Sequence, residues 1–310
     1  MIEVPDELVA TQTRFNGADG LAFVAALPGR AAEFLERWGL RTDGRVMYGM
    51  CALVLPVVRD ADGSQAVLKL QYLDEESVGE PVALRVWGGD GAVRLLEYDD
   101  VTGTLLLERL DSARMLTTVP DSRAAVLVIA ELLARLTAVP APEGMRRLGD
   151  IAERMLERVP GAVPQVPDPA DRRLLEDCAA AVREVAGEPG DRLLHWDLHY
   201  DNVLAADREP WLAIDPKPLA GDPGFELFPA LDNRFDADEV RRRFDAMTEV
   251  LGLDRERARA WTLGRVLQNA LWAIEDGHPL APHHLEIGRR LRGGRGQPAA
   301  MSGSPHPCAG

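Results

Sequence analysis

The chain has 310 residues, 46% of them hydrophobic and 27% charged, and carries a formal net charge of −15. That length allows two packed lobes, and so acidic a field disfavours nucleic acid; it would draw in a cationic small molecule or serve solubility alone. Cys51, Cys178 and Cys308 are scattered without metal-ligand spacing, the start Met-Ile-Glu-Val-Pro-Asp-Glu lacks a signal-peptide core, and no apolar run is long enough to span a membrane. A reduced, cytoplasmic, monomeric protein with no membrane partner is expected.

In chain order, the segment 44–52 (Gly-Arg-Val-Met-Tyr-Gly-Met-Cys-Ala) contains two glycines and is the candidate for a phosphate-covering loop. It is not a Gly-x-Gly-x-x-Gly loop, and no Gly-x-x-x-x-Gly-Lys-Ser/Thr motif occurs, which argues against a P-loop enzyme. Residues 52–58 and 65–70 read as strands joined by the turn Asp60-Ala-Asp-Gly-Ser64, and the second holds Lys69 among apolar neighbours. A lysine there is costly unless it is paired or reaches water. Glu80 is the best-placed partner, with Pro81 suited to a first helical turn; Glu75 and Glu76 are rivals, and either could belong to a solvated face.

Segments 92–97 and 103–109 read as two further strands. The second should run into an inter-lobe linker, where backbone groups from Leu107 to Leu110 could meet adenine. Helix-period apolar spacing follows at 122–137, 146–158, 169–187, 237–252 and 254–276, with Asp168 before Pro169 as a helix start. Strands first and helices later indicate an α+β, two-lobed architecture. The expected division is an N-terminal nucleotide-binding lobe over 1–110, carrying an antiparallel sheet with one helix, and a larger, mainly helical catalytic and substrate-binding lobe over 111–292. The Gly-, Pro- and Ser-rich segment 293–310 is expected to be disordered.

The most informative stretch is 193–216, Leu-Leu-His-Trp-Asp-Leu-His-Tyr-Asp-Asn-Val-Leu and onward to Ala-Ile-Asp-Pro. Phosphoryl transfer needs magnesium-held phosphates and an in-line hydroxyl, and an acid, an amide and a second acid in this order supply both in protein-kinase-like sites. Asn202 and Asp215 offer the hard amide and carboxylate oxygens that Mg2+ prefers. Asp197 is left to accept a hydrogen bond from the attacking hydroxyl and take its proton. A turn at 207–210 would make a hairpin that brings Asn202 and Asp215 together. His195 reads as a structural hydrogen-bonder, and His199 and Asp201 as loop-shaping residues.

The stretches His195-Trp-Asp-Leu-His-Tyr-Asp-Asn202, Ala213-Ile-Asp-Pro-Lys-Pro218, Gly221-Asp-Pro-Gly-Phe-Glu-Leu227 and Trp261-Thr-Leu-Gly-Arg-Val-Leu-Gln-Asn-Ala-Leu-Trp272 resemble the aminoglycoside phosphotransferase family. Within it, the resemblance is to the streptomycin 6-phosphotransferases and their hydroxyurea-kinase relatives. It implies a protein-kinase-like fold and transfer of the ATP γ-phosphate to a hydroxyl, in the narrower group one on the streptidine ring of streptomycin. It assigns Asp197 as base, Asn202 and Asp215 as Mg2+ ligands, Lys69 to the phosphates and Glu80 as the lysine's partner, with Pro81 a departure from the family pattern. Lys217 could assist transfer or pair with a surface acid. Streptomycin's guanidinium groups call for carboxylates and aromatic faces. Candidates are Glu226, for which a structural role is the stronger reading, Asp232, Gln268, Asn269, Trp272, Glu275 and Asp276, with Gln268, Trp272 and Glu275 on one helical face.

Overall fold

A computed structural model describes residues 2–292; the segment expected to be disordered, 293–310, lies outside the described residues. The chain opens with a helical segment, α1 (Asp6–Arg37), broken at Gly17, whose φ of 55° and ψ of −127° lie in a region open only to glycine. Gly17, Gly20, Pro28 and Gly29 interrupt the apolar periodicity of this segment in the sequence. The buried set Leu8, Phe23, Val24, Leu27, Ala31 and Phe34 nevertheless falls on one face. α1 is therefore an addition to the expected N-terminal architecture.

The strands that follow are β1 (Leu40–Thr42), β2 (Met47–Tyr48), β3 (Ala52–Arg59), β4 (Gln65–Gln71), β5 (Leu95–Asp99) and β6 (Thr104–Glu108), with α2 (Glu80–Trp87) between β4 and β5. They form an antiparallel sheet of order β1-β3-β4-β6-β5, with β2 also on β3. The two-residue period of a strand explains its two faces. Ala66, Leu68 and Leu70 of β4 and Leu106 of β6 join α1 in one core, whereas Leu105 and Leu107 point the other way, into a core shared with α2 and the later helices. Lys69 lies on that second face.

Beyond β6, β7 (Asp111–Met115) leaves the large sheet and pairs with β9 (Val203–Ala205), which pairs in turn with β10 (Leu212–Ala213). β8 (Arg192–Leu194) pairs with β11 (Leu219–Gly221). The helices are α3 (Ser122–Leu136), α4 (Leu148–Ala162), α5 (Pro169–Val185), α6 (Phe228–Asp232), α7 (Val240–Leu251), α8 (Arg255–Glu275) and α9 (Pro282–Arg292). Asp168 caps α5 as expected, accepting from the Ala170 and Asp171 amides, and Asp121 caps α3 likewise. α8 is buried on most sides, with Trp261 fully enclosed.

The sheet is fastened to the helical part along one edge. The Trp87 indole donates to the Leu136 carbonyl at 3.0 Å. Arg208, in the β9–β10 turn, donates to Glu108 and, at 2.7 and 2.8 Å, to the carbonyls of Gly89 and Ala92. Lys69 of the sheet meets Asp215, just past β10, where the two parts join.

Candidate active site

Lys69 projects from β4 toward the first turn of α2, where its ammonium lies 2.8 Å from each oxygen of Glu80 and 2.6 Å from Asp215 Oδ1. Both Lys69 and Glu80 are buried. Burial alone would lower the lysine's pKa, but Asp215 and then Glu80 outweigh it, so the net displacement is upward and the charge is secure. Burial likewise pushes the Glu80 carboxyl upward, against the pull of Lys69. At Asp215 burial opposes ionisation, yet Lys69 and Lys217 prevail and hold its pKa at about 2. Pro81 takes a position in the first helical turn and does not prevent the Lys69–Glu80 contact.

Asp197 and Asn202 belong to the loop between β8 and β9. His195 supports that loop from inside: it is fully buried, its Nδ1 accepts from the Asp197 amide at 3.3 Å and its Nε2 donates to the Ile214 carbonyl at 3.0 Å. Burial drops its pKa to about 4, so the ring is neutral at physiological pH. Trp196 has a positive φ of 66°, and its amide donates to Glu226 Oε1 and Oε2 at 2.9 and 3.0 Å. Such strain persists where the surroundings over-determine it. Burial raises Glu226 to about 7 despite the amides of Trp196 and His195, so Glu226 holds the loop from beneath, in line with the structural reading of that residue.

The Asn202 amide group donates to the Asp197 carbonyl at 2.9 Å, which turns the Asn202 side-chain oxygen away from that bond and leaves it available. The β9–β10 pairing aligns Val203 with Ala213, and the Ile214 amide donates to the Asn202 carbonyl at 2.9 Å. Asn202 and Asp215 are thereby neighbours across a hairpin. An amide oxygen and a carboxylate make a hard oxygen donor pair, which fits Mg2+. Asp215 has a positive φ of 57°, a conformation uncommon outside glycine and asparagine.

Lys217 donates to Asp197 Oδ2 at 2.8 Å, so of its two expected alternatives the cation faces the catalytic-loop acid. Burial would weaken that charge, but Asp197 and Asp215 displace its pKa upward. Two more cations, not foreseen from the sequence, reach the same place: the guanidiniums of Arg146 and Arg265 lie 4.5 and 4.9 Å from the Trp196 ring centre. Burial lowers Arg265 to about 10, with Asp197 and Glu226 opposing. Its signal was present in the sequence as a single charge inside the apolar run Trp261-Thr-Leu-Gly-Arg-Val-Leu of α8. Glu76 answers Arg146 at 3.8 Å.

The residues proposed for the acceptor do not all converge. Trp272 lies 6.4 Å from Trp196, ring centre to ring centre, and Gln268 Oε1 accepts from Arg265 at 3.4 Å; both adjoin the catalytic loop. Asp232 is engaged by His283 and His284 at the start of α9, and Glu275 by Arg158 of α4. Asn269 lines a separate cavity of about 80 Å³ between α8 and α9, and Asp276 caps the end of α8. Leu107 and Leu110 are buried in the second core, at the passage from the sheet to the helical part.

The family profile described as aminoglycoside/hydroxyurea antibiotic resistance kinase matches residues 37–277. A hydroxyurea phosphotransferase of Kitasatospora aureofaciens is 66% identical over 91% of this chain and 83% of its own length. A streptomycin 6-kinase of Streptomyces glaucescens is 58% identical over 94% and 98%. Among solved structures, a thermostable mutant of the aminoglycoside phosphotransferase APH(4)-Ia in complex with AMP-PNP and hygromycin B superimposes with a TM-score of 0.59, at 17% identity, over 85% of this chain and 98% of that one. That likeness establishes the protein-kinase-like fold. With sequence relatives as near as these, the chain belongs to the aminoglycoside/hydroxyurea antibiotic resistance kinases, phosphotransferases that act on a hydroxyl group.

Proposed function

We propose that this chain transfers the γ-phosphate of ATP to the 6-hydroxyl of the streptidine ring of streptomycin, and so inactivates the antibiotic in the cytoplasm. The observation that supports this best is the pair of lysine–carboxylate contacts in one cleft, Lys69 with Asp215 and Lys217 with Asp197, in a chain 58% identical to a streptomycin 6-kinase. In this reading residues 1–110 hold the nucleotide and 111–292 the acceptor.

Lys69, oriented by Glu80, meets the α/β-phosphates, and the backbone from Leu107 to Leu110 meets adenine. Asn202 and Asp215 would hold Mg2+, which neutralises charge on the transferring phosphate when bound. Asp197 accepts the acceptor's hydroxyl hydrogen bond and takes the proton as the new O–P bond forms and the bond from the γ-phosphorus to the bridging oxygen breaks, releasing ADP. Lys217 holds the Asp197 side chain in place by donating to its Oδ2. Trp272 and Gln268, beside the catalytic loop, remain the acceptor candidates on α8, while Asn269 faces a separate cavity and the contacts of Asp232 with the α9 histidines and of Glu275 with Arg158 turn those residues away from that role.

A second reading, hydroxyurea as acceptor, is favoured by the 66% identical relative and by the cations Arg146, Arg265 and Lys217 around the base, which repel guanidinium groups. An ADP-release assay with ATP and Mg2+ against streptomycin, kanamycin and hydroxyurea separates the two. Turnover with streptomycin alone is the expected result. Turnover with hydroxyurea alone transfers the assignment to the second reading, and silence with all three refutes both.

A further inference from the structure

We propose that Asp232, His283 and His284 form a binding site for one zinc-class divalent cation, remote in role from the phosphate site, that clasps the start of α9 to the end of α6. Asp232 closes α6 (Phe228–Asp232), and the two histidines follow Pro282 at the start of α9 (Pro282–Arg292). The Nε2 atoms of His283 and His284 lie 3.1 and 3.0 Å from the same oxygen, Asp232 Oδ1. A tetrahedral ion with bonds of about 2.0–2.1 Å requires ligand atoms about 3.3 Å apart, so these separations match edges of that tetrahedron. Asp232 Oδ1 is shut off from solvent and yet accepts no well-directed hydrogen bond from the described residues, although two ring nitrogens lie close to it. A buried carboxylate oxygen left without a proton donor is costly, and a bound cation would relieve it.

The donor set selects the ion. Two imidazoles and a carboxylate suit zinc and its transition-metal neighbours, whereas Mg2+ prefers oxygens throughout. Phe228 and Phe235 wall the pair, with ring centres 5.2 Å from His284 and 5.9 Å from His283, and so limit water on that side. The Asp232 charge offsets the positive N-terminus of α9, which would otherwise disfavour a cation. A ligand at this point acts on the catalytic loop through one link: Asn233, next to Asp232, donates to Asp201 Oδ2 at 2.8 Å, and Asp201 precedes Asn202.

The test uses the full chain without an affinity tag, stripped with a chelator and titrated with ZnCl2 by calorimetry in the presence of Mg2+. We expect one zinc per chain. We expect binding at least about 10-fold weaker in His283→Gln and in His284→Gln, substitutions at partly exposed positions that leave the core intact, and in Asp232→Asn. Cobalt(II) should give the intense visible bands of a tetrahedral site in the wild type and lose them in the His283→Gln/His284→Gln double variant. Saturable binding that all three substitutions leave unchanged, or no saturable binding in the wild type, overturns the proposal.

Discussion

Replacing Glu80 by alanine probes the placement of Lys69 without touching the atoms proposed to react. In the wild type the Lys69 ammonium is shared between two Glu80 oxygens at 2.8 Å and Asp215 Oδ1 at 2.6 Å, with Lys69 and Glu80 buried and the Asp215 side chain partly exposed. Removing Glu80 leaves the buried cation one partner, and that partner is the proposed metal ligand. Hydrogen bonds to charged groups contribute about 1.5–3 kcal/mol each, and stripping a buried pair altogether costs about 3–5 kcal/mol. Because Asp215 remains, the loss should sit near the lower figures, about 2–3 kcal/mol, or roughly 30- to 160-fold in kcat/KM for ATP. The change should appear largely in the KM for ATP, since Lys69 is drawn toward Asp215 and away from the phosphates. Coupled ADP release at varied ATP measures it, and a thermal melt confirms that the variant is folded. Glu80→Gln keeps one oxygen facing the ammonium and should lose less. A Glu80→Ala variant within about 3-fold of wild type would show that Lys69 is positioned by something other than Glu80.

Other outcomes follow from the same contacts. Asp215→Asn should raise the Mg2+ concentration needed for half-maximal turnover at least about 10-fold, as loss of a charged ligand to a hard cation requires; an unchanged Mg2+ dependence places the ion elsewhere. His195 is buried and neutral with its pKa lowered to about 4, so the unfolded chain binds its proton first as pH falls. Its contribution to stability is present above the ordinary histidine pKa of about 6.5 and declines by about 1 kcal/mol per pH unit, roughly 3 kcal/mol in all, as pH falls toward 4. The stability difference between wild type and His195→Asn in urea should therefore shrink over that window; a pH-independent difference counts against a buried neutral imidazole. Glu226, raised to about 7, runs in the opposite sense, favouring the folded state at low pH and losing that contribution as pH rises. Arg208→Ala removes the clamp on Glu108, Gly89 and Ala92 and should lower stability by about 2–4 kcal/mol, read by urea unfolding.

The parts of the fold with a clean period were legible in the sequence. β3 and β4 alternate or run apolar between turn residues, and α3, α5 and α8 carry helix-spaced apolar faces, all three behind aspartate caps. α1 was not legible, because its glycines and Pro28 break the pattern and its stability comes from packing on the sheet. α9 was missed because its Pro-His-His start and three arginines read as polar chain. At the site, Lys69, Glu80, Asp197, Asn202 and Asp215 stand out by order and spacing, since they lie on strands, tight loops and the first turn of α2, whose geometry follows from sequence. Arg146 and Arg265 do not, because their meeting over Trp196 depends on how the segment before α4 and the middle of α8 approach the catalytic loop. The acceptor candidates were chosen for charge and helical face. Tertiary pairing redirected Asp232 to α9 and Glu275 to Arg158, a choice that no local pattern records.

Asp197 is the proposed base, and the most direct test measures turnover and nucleotide binding together in Asp197→Ala. The loop is held by His195, Glu226 and Asn202, the last through the backbone carbonyl of Asp197, so the substitution should leave the fold and ATP binding close to wild type. Turnover should fall by about 10²–10⁴-fold, the range for loss of a positioned general base. Near-normal turnover in a variant that still binds ATP would contradict the assignment of the base and, with it, the proposed mechanism.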